Sequence, residues 1–112
     1  MEIKTSYKGD IILVRLIGRL DTGTSPAAES TINKELEQGR INLIINLAET
    51  EYLSSSGLRV LLVTAKKISA IKGKMKICEP NDVVREILDI SGFSTILDVR
   101  ESEEEALGEF ML

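Results

Sequence analysis

Seven consecutive residues, Ile41-Asn42-Leu43-Ile44-Ile45-Asn46-Leu47, carry five large aliphatic side chains with no regular alternation. A strand with one wet face alternates apolar and polar residues, so a nearly continuous apolar run reads as a strand covered on both faces. Helices on either side of a largely parallel sheet provide that cover, and the run therefore points to an α/β domain.

The flanking patterns agree. Ile3–Tyr7 and Ile11–Ile17 are β-rich runs joined by the turn residues Lys8-Gly9-Asp10, which predicts an opening hairpin. Gly18-Arg19-Leu20-Asp21 then leads into a loop of small polar residues. Ser25-Pro26 reads as a helix start with serine as the cap; Ala28, Ile32 and Leu36 recur every four residues, and Gly39 is a candidate stop. A second helix carries Leu58, Leu61, Leu62, Ala65 and Ile68 on one stripe, with Arg59, Lys66, Lys67 and Lys72 off it and Gly73 closing it. Met75–Cys78 is a short strand. Pro80-Asn81-Asp82 opens a third helix with Val84, Ile87 and Leu88 inward, ended by Ser91-Gly92. Thr95–Val99 reads as a last strand. Ser102 and Glu105 form a capping box for a final acidic helix holding Leu107, Phe110 and Met111. The predicted order is β-β-α-β-α-β-α-β-α: one domain over residues 1–112, with a mixed, mostly parallel sheet, flanking helices and right-handed crossovers.

Composition removes whole classes of function. At 112 residues and 43% hydrophobic, the chain can bury a core and is not disordered. No apolar run approaches the roughly 20 residues of a membrane span, and no signal peptide opens the sequence. A net charge of −4 argues against a nucleic-acid partner. A single cysteine cannot form an internal disulfide, so a cytoplasmic location is expected. There is no histidine, which removes the commonest general base and metal ligand. Without a Gly-x-Ser-x-Gly elbow or a Walker-type loop, no catalytic residue, metal site or cofactor is expected.

One stretch stands out: Tyr52-Leu53-Ser54-Ser55-Ser56-Gly57-Leu58-Arg59, between the buried strand and the second helix. That junction lies at the carboxyl ends of parallel strands, where α/β sheets usually bind ligands and partners. Three hydroxyls at a helix N-terminus also suit a phosphate, bound or attached. The same string equally describes an ordinary helix start, since serine is a preferred cap. Asp21, Thr22 and Thr24 either face this serine cluster or hold their own turn. Lys66, Lys67, Lys72, Lys74 and Lys76 read as a solvated face, Cys78 as a buried small hydrophobe, and the acidic residues near the C-terminus as partners of a helix dipole.

The element order, Gly18-x-Leu20-Asp21 after the second strand, and Tyr52 to Leu62 opening the second helix together resemble the STAS domain. More closely, the chain resembles the bacterial anti-sigma factor antagonists over nearly its whole length. The resemblance implies a phosphorylatable binding protein. Unphosphorylated, it would bind an anti-sigma factor, a serine kinase with a histidine-kinase-like ATPase fold, and so release a sigma factor. Phosphorylation by that kinase would end the interaction, and a metal-dependent Ser/Thr phosphatase would restore it. Counting back from Gly57, the family's phosphoacceptor falls on Ser55. Asp21 matches the aspartate closing the Gly-x-Leu-Asp segment near the partner surface. The implied docking face gathers Asp21, Thr22, Ser54, Ser55, Ser56, Gly57 and Arg59. Two departures are visible: Ser54 replaces the motif's aspartate, and Asn46 stands where many members carry aspartate. Two other uses of the scaffold stay open, a module binding a nucleotide or anion, and an interaction subunit of a signalling or transport assembly.

Overall fold

The computed structural model describes residues 1–110 and explains the central run directly. Strand β3 (Asn42–Asn46) lies in the middle of the sheet, between β2 (Ile11–Leu20) and β5 (Lys74–Cys78), parallel to both. Leu43, Ile45 and Leu47 enter a large core on one face, whereas Ile44 enters a smaller cluster on the other. Both faces are covered, so Ile44 is as fully buried as Leu43 and Ile45 on the other face, and only Asn42 and Asn46 interrupt the apolar run.

The sheet order is β1-β2-β3-β5-β6, with β1 (Glu2–Lys8) antiparallel to β2 and the two-residue β6 (Val99–Arg100) parallel to β5. Helices α1 (Ser25–Glu37), α2 (Ser55–Ala70) and α3 (Asp82–Ile90) supply Ala28, Ile32, Leu61, Ile68, Val84 and Leu88 to the large core. Among the described residues, helix α4 (Glu103–Phe110) alone covers the opposite face, packing Ala106, Leu107 and Phe110 on Ile11, Ile44 and Cys78. Met111, expected inside this helix, lies outside the described residues.

Several expectations change. A further strand, β4 (Thr50–Leu53), pairs in parallel with the end of β2, so the observed order is β-β-α-β-β-α-β-α-β-α. Its four residues carry no alternation, and it forms because a register shift between Gly18 and Arg19 turns the end of β2 toward it. The expected strand Thr95–Val99 is instead a 3₁₀ turn (Phe93–Thr95) followed by β6, because the turn keeps the chain away from β5 until Val99 and Arg100 pair with Ile77 and Cys78. Helix α1 is not capped by Ser25: the residue is already helical, and its hydroxyl donates to the Asp21 carbonyl. Ser102 does cap α4, accepting from the Glu105 N–H at 3.0 Å, but the Glu105 carboxylate reaches Arg100 rather than closing a box.

The buried stripe of α2 is Gly57, Val60, Leu61, Thr64 and Ile68, rotated from the expected one and leaving Leu62 half-buried. Gly57 is the cause. A Cβ built there would lie 2.6 Å from the Leu20 carbonyl, so the helix meets the strand through a residue with no side chain. Lys76 leaves the expected solvated face. It is only 8% exposed, because it points from the sheet interior toward α4 and pairs with Asp98.

Candidate functional site

The Leu20 end of β2 and the Leu53 end of β4 lie side by side, and the loops that leave them form the site. The Ser54 N–H donates to the Leu20 carbonyl at 2.9 Å, fixing where α2 begins. Ser54 is extended and caps the helix, its hydroxyl accepting from the Gly57 N–H at 3.2 Å. Ser56 is half-buried, with its hydroxyl 3.2 Å from that of Thr22 on the neighbouring loop. Ser55 lies between them as the first helical residue and is exposed. Two hydroxyls are engaged within the chain, and the middle one faces solvent.

Asp21 supports this arrangement from behind. Its carboxylate accepts from the N–H groups of Gly23 (3.0 Å) and Thr24 (3.1 Å). The Thr24 hydroxyl accepts from the Asp21 N–H at 2.9 Å and donates to the Arg19 carbonyl at 2.7 Å. The Thr24 N–H is the largest influence holding Asp21 below the usual carboxylate range; the Thr24 hydroxyl, the Gly23 N–H and Arg19 act in the same direction, against burial. Asp21 and Thr24 therefore hold their own turn, and Thr22 is the residue that reaches the serine cluster. Arg19 also stacks over the Tyr52 ring at 4.6 Å.

Arg59, one turn into α2, is exposed. With Thr22, Ser56, Pro26, Glu29 and Val63 it lines an open groove of about 430 Å³ between the first turns of α1 and α2. Pro26, Glu29 and Val63 were not legible as site residues. Only the packing of α1 against α2 brings them there, and no local motif marks it. Among the described residues, no cluster of three His, Cys, Asp or Glu side chains is placed to hold a metal ion. No described helix is long and apolar enough to cross a membrane.

The STAS domain profile matches residues 2–106. The chain is a member of the STAS domain family. It is 31% identical over 100 residues to BtrV of Bordetella bronchiseptica, provisionally named an anti-sigma factor antagonist, covering 89% of this chain and 86% of that protein. It is 29% identical over 110 residues to the anti-sigma F factor antagonist of Paenibacillus polymyxa, covering 97% and 94%. The unphosphorylated anti-sigma factor antagonist SpoIIAA superposes with a TM-score of 0.83 at 22% identity, over 98% of this chain and 96% of that one. The phosphorylated form of the Bacillus protein superposes with a TM-score of 0.75, over 97% and 99%. Within the STAS family the chain thus groups with the anti-sigma factor antagonists, which are regulatory proteins rather than enzymes.

Both departures from the family pattern have a structural counterpart in this STAS domain. Ser54 performs the capping that an aspartate at the same place could perform, since either side chain accepts from a first-turn N–H. Asn46 is 1% exposed; its amide donates to Glu103 at 3.2 Å and its oxygen accepts from the Ala48 N–H at 2.9 Å. A carboxylate there would face Glu103 without a donor, so the amide suits this chain's own α4.

Proposed function

We propose that this STAS domain is an anti-sigma factor antagonist whose partnership is switched by phosphorylation of Ser55. In the unphosphorylated state it binds an anti-sigma factor serine kinase of histidine-kinase-like ATPase fold and thereby frees a sigma factor. The kinase transfers the terminal phosphoryl group of ATP to the Ser55 hydroxyl, and a metal-dependent Ser/Thr phosphatase hydrolyses it. Sigma factors act in the cytoplasm, which places the domain there. The carrying observation is the exposed Ser55 at the first position of α2, between a serine used as cap and a serine bonded to Thr22.

The phosphoryl group adds about −1.5 to −2 charges and three acceptor oxygens. At a helix N-terminus it meets N–H groups without intrahelical partners and the positive end of the dipole, so α2 tolerates it and the fold survives. The interface does not survive, because the partner must desolvate a dianion. A loss of about 1.4 kcal/mol already lowers affinity tenfold. Asp21, Thr22, Ser54, Ser56, Gly57 and Arg59 form the rest of the docking face, with Arg59 available to a partner carboxylate.

Incubation with the cognate kinase and ATP, followed by peptide mass spectrometry, tests the assignment. Phosphate is expected on Ser55 and lost in Ser55→Ala, which should bind the kinase constitutively. Ser55→Asp should stay folded and bind poorly, and Arg59→Glu should weaken binding by about tenfold without loss of helicity. Phosphate on Ser54 or Ser56 alone moves the site. None at all, with an active kinase, sinks the switch.

A further inference from the structure

Strand β1 ends the sheet. Its inner edge pairs with β2 along all seven residues, Glu2 to Lys8, and among the described residues no strand lies along its outer edge. Such an edge presents a row of unpaired backbone N–H and C=O groups, a ready template for another strand. All of its residues except Ile3 are exposed.

The sequence of this edge, Glu-Ile-Lys-Thr-Ser-Tyr-Lys, is complementary to its own reverse. Two copies meeting antiparallel, edge to edge, are related by a twofold axis perpendicular to the sheet, and opposed residues share a face. An axis at Lys4 opposes Lys4 to itself. An axis at Ser6 opposes Lys4 to Lys8. An axis nearer either end engages three residues of β1 or fewer. An axis at Thr5 engages the whole strand and sets Glu2 against Lys8 of the second copy, Ile3 against Tyr7, and Lys4 against Ser6. Among directly opposed residues it brings opposite charges together twice and like charges never.

The chain already prepares this register. Ile3 packs on the large core and the Tyr7 hydroxyl donates to Glu35 of α1, so Ile3 and Tyr7 share the face covered by α1. Arg40 lies over the Tyr7 ring at 4.7 Å, fixing its plane, yet the residue is still 52% exposed and can cover Ile3 of a second copy. Within one chain Glu2 reaches only Lys4, at 3.9 Å with both side chains more than half exposed, a contact of little strength.

We propose that β1 is the contact of a symmetric homodimer, with its twofold axis at Thr5 and one antiparallel sheet running through both copies. Sedimentation equilibrium of the full chain at low salt, up to about 1 mM, should show a monomer–dimer equilibrium. Glu2→Lys and Lys8→Glu alone should each weaken it about tenfold, since each replaces two ion pairs with two repulsions. The double variant Glu2→Lys/Lys8→Glu should restore it. A second arm uses geometry: under oxidation Thr5→Cys should cross-link to itself, because directly opposed Cα atoms lie about 4.5–5.5 Å apart, within disulfide range. Lys8→Cys should not, its counterparts being several residues apart, and native Cys78 is buried. A strictly monomeric wild type, a double variant no tighter than the singles, or equal cross-linking at positions 5 and 8 overturns the proposal.

Discussion

Asp21 holds its carboxylate against the N–H groups of Gly23 and Thr24, and the loop bearing Thr22 takes its shape from those bonds. The bonds favour the ionised form and hold its pKa below the ordinary carboxylate value. The stability they contribute is therefore full above the unfolded-state pKa and is lost as pH falls through the lower folded value. Asp21→Asn should be less stable than wild type at pH 7, and the gap should close in the acid range below the usual carboxylate pKa. Urea midpoints taken from pH 7 downward check this; a gap independent of pH would show that charge at Asp21 is immaterial. The Gly-x-Leu-Asp segment drew attention to this residue, but the division of labour with Thr22 was not legible. Side-chain reach across a 34-residue separation, Thr22 to Ser56, depends on how β2 and β4 end together. The burial of Lys76 is hidden in the same way: Lys72 and Lys74 precede it in the sequence and suggest a solvated face, but its partner Asp98 comes from the segment leading into β6.

At the scale of elements, α2 shows which signals carry. Its start was plain, because Ser54 caps by a local bond. Its end comes one residue earlier than the sequence suggests: Gly73 carries the stop signal, whereas Lys72 adopts the left-handed conformation, at φ +64°. Gly73 is required for another reason: a Cβ there would lie 2.1 Å from the Ile41 carbonyl, where the chain entering β5 passes beside the residue that precedes β3. Non-glycine residues adopt that left-handed conformation at a cost of about 1–2 kcal/mol. Lys72→Gly should thus raise stability by about 0.5–1 kcal/mol, less than the full cost because glycine loses more entropy on folding. Gly73→Ala should destabilise by more than that. Denaturant midpoints at unchanged slope measure both, and a Lys72→Gly variant no more stable than wild type would remove strain from the account. Helices α1 to α3 are legible from their apolar stripes, β1 and β2 from β-rich runs around a turn, β3 from its nearly continuous apolar run, and β5 as a short run after Gly73. Strands β4 and β6, four and two residues long, carry no period and exist through their neighbours.

The molecule as a whole is unequal about its sheet. Among the described residues, three helices share the large core on one face, while α4 alone covers the other through a cluster of few side chains. A layer with so little buried area should open before the rest, in a local step rather than with global unfolding. Cys78 reports on that step. It is fully buried beneath α4, and its thiol is pushed up to about 12, by burial first and then by Glu79 and Glu103. The native protein therefore holds almost no thiolate near neutral pH, and labelling must pass through an opening that releases α4. Leu107→Ala weakens only the α4 layer and should speed labelling about tenfold for each 1.4 kcal/mol it removes. Leu61→Ala, in the large core, should cost about 2–5 kcal/mol of global stability. If α4 opens by itself, that loss leaves the labelling rate nearly unchanged. Labelling without denaturant, read beside each variant's urea midpoint, separates the two routes. Equal acceleration per kcal/mol in both variants would mean that Cys78 is exposed only when the whole domain unfolds, and that the sheet's two faces melt as one.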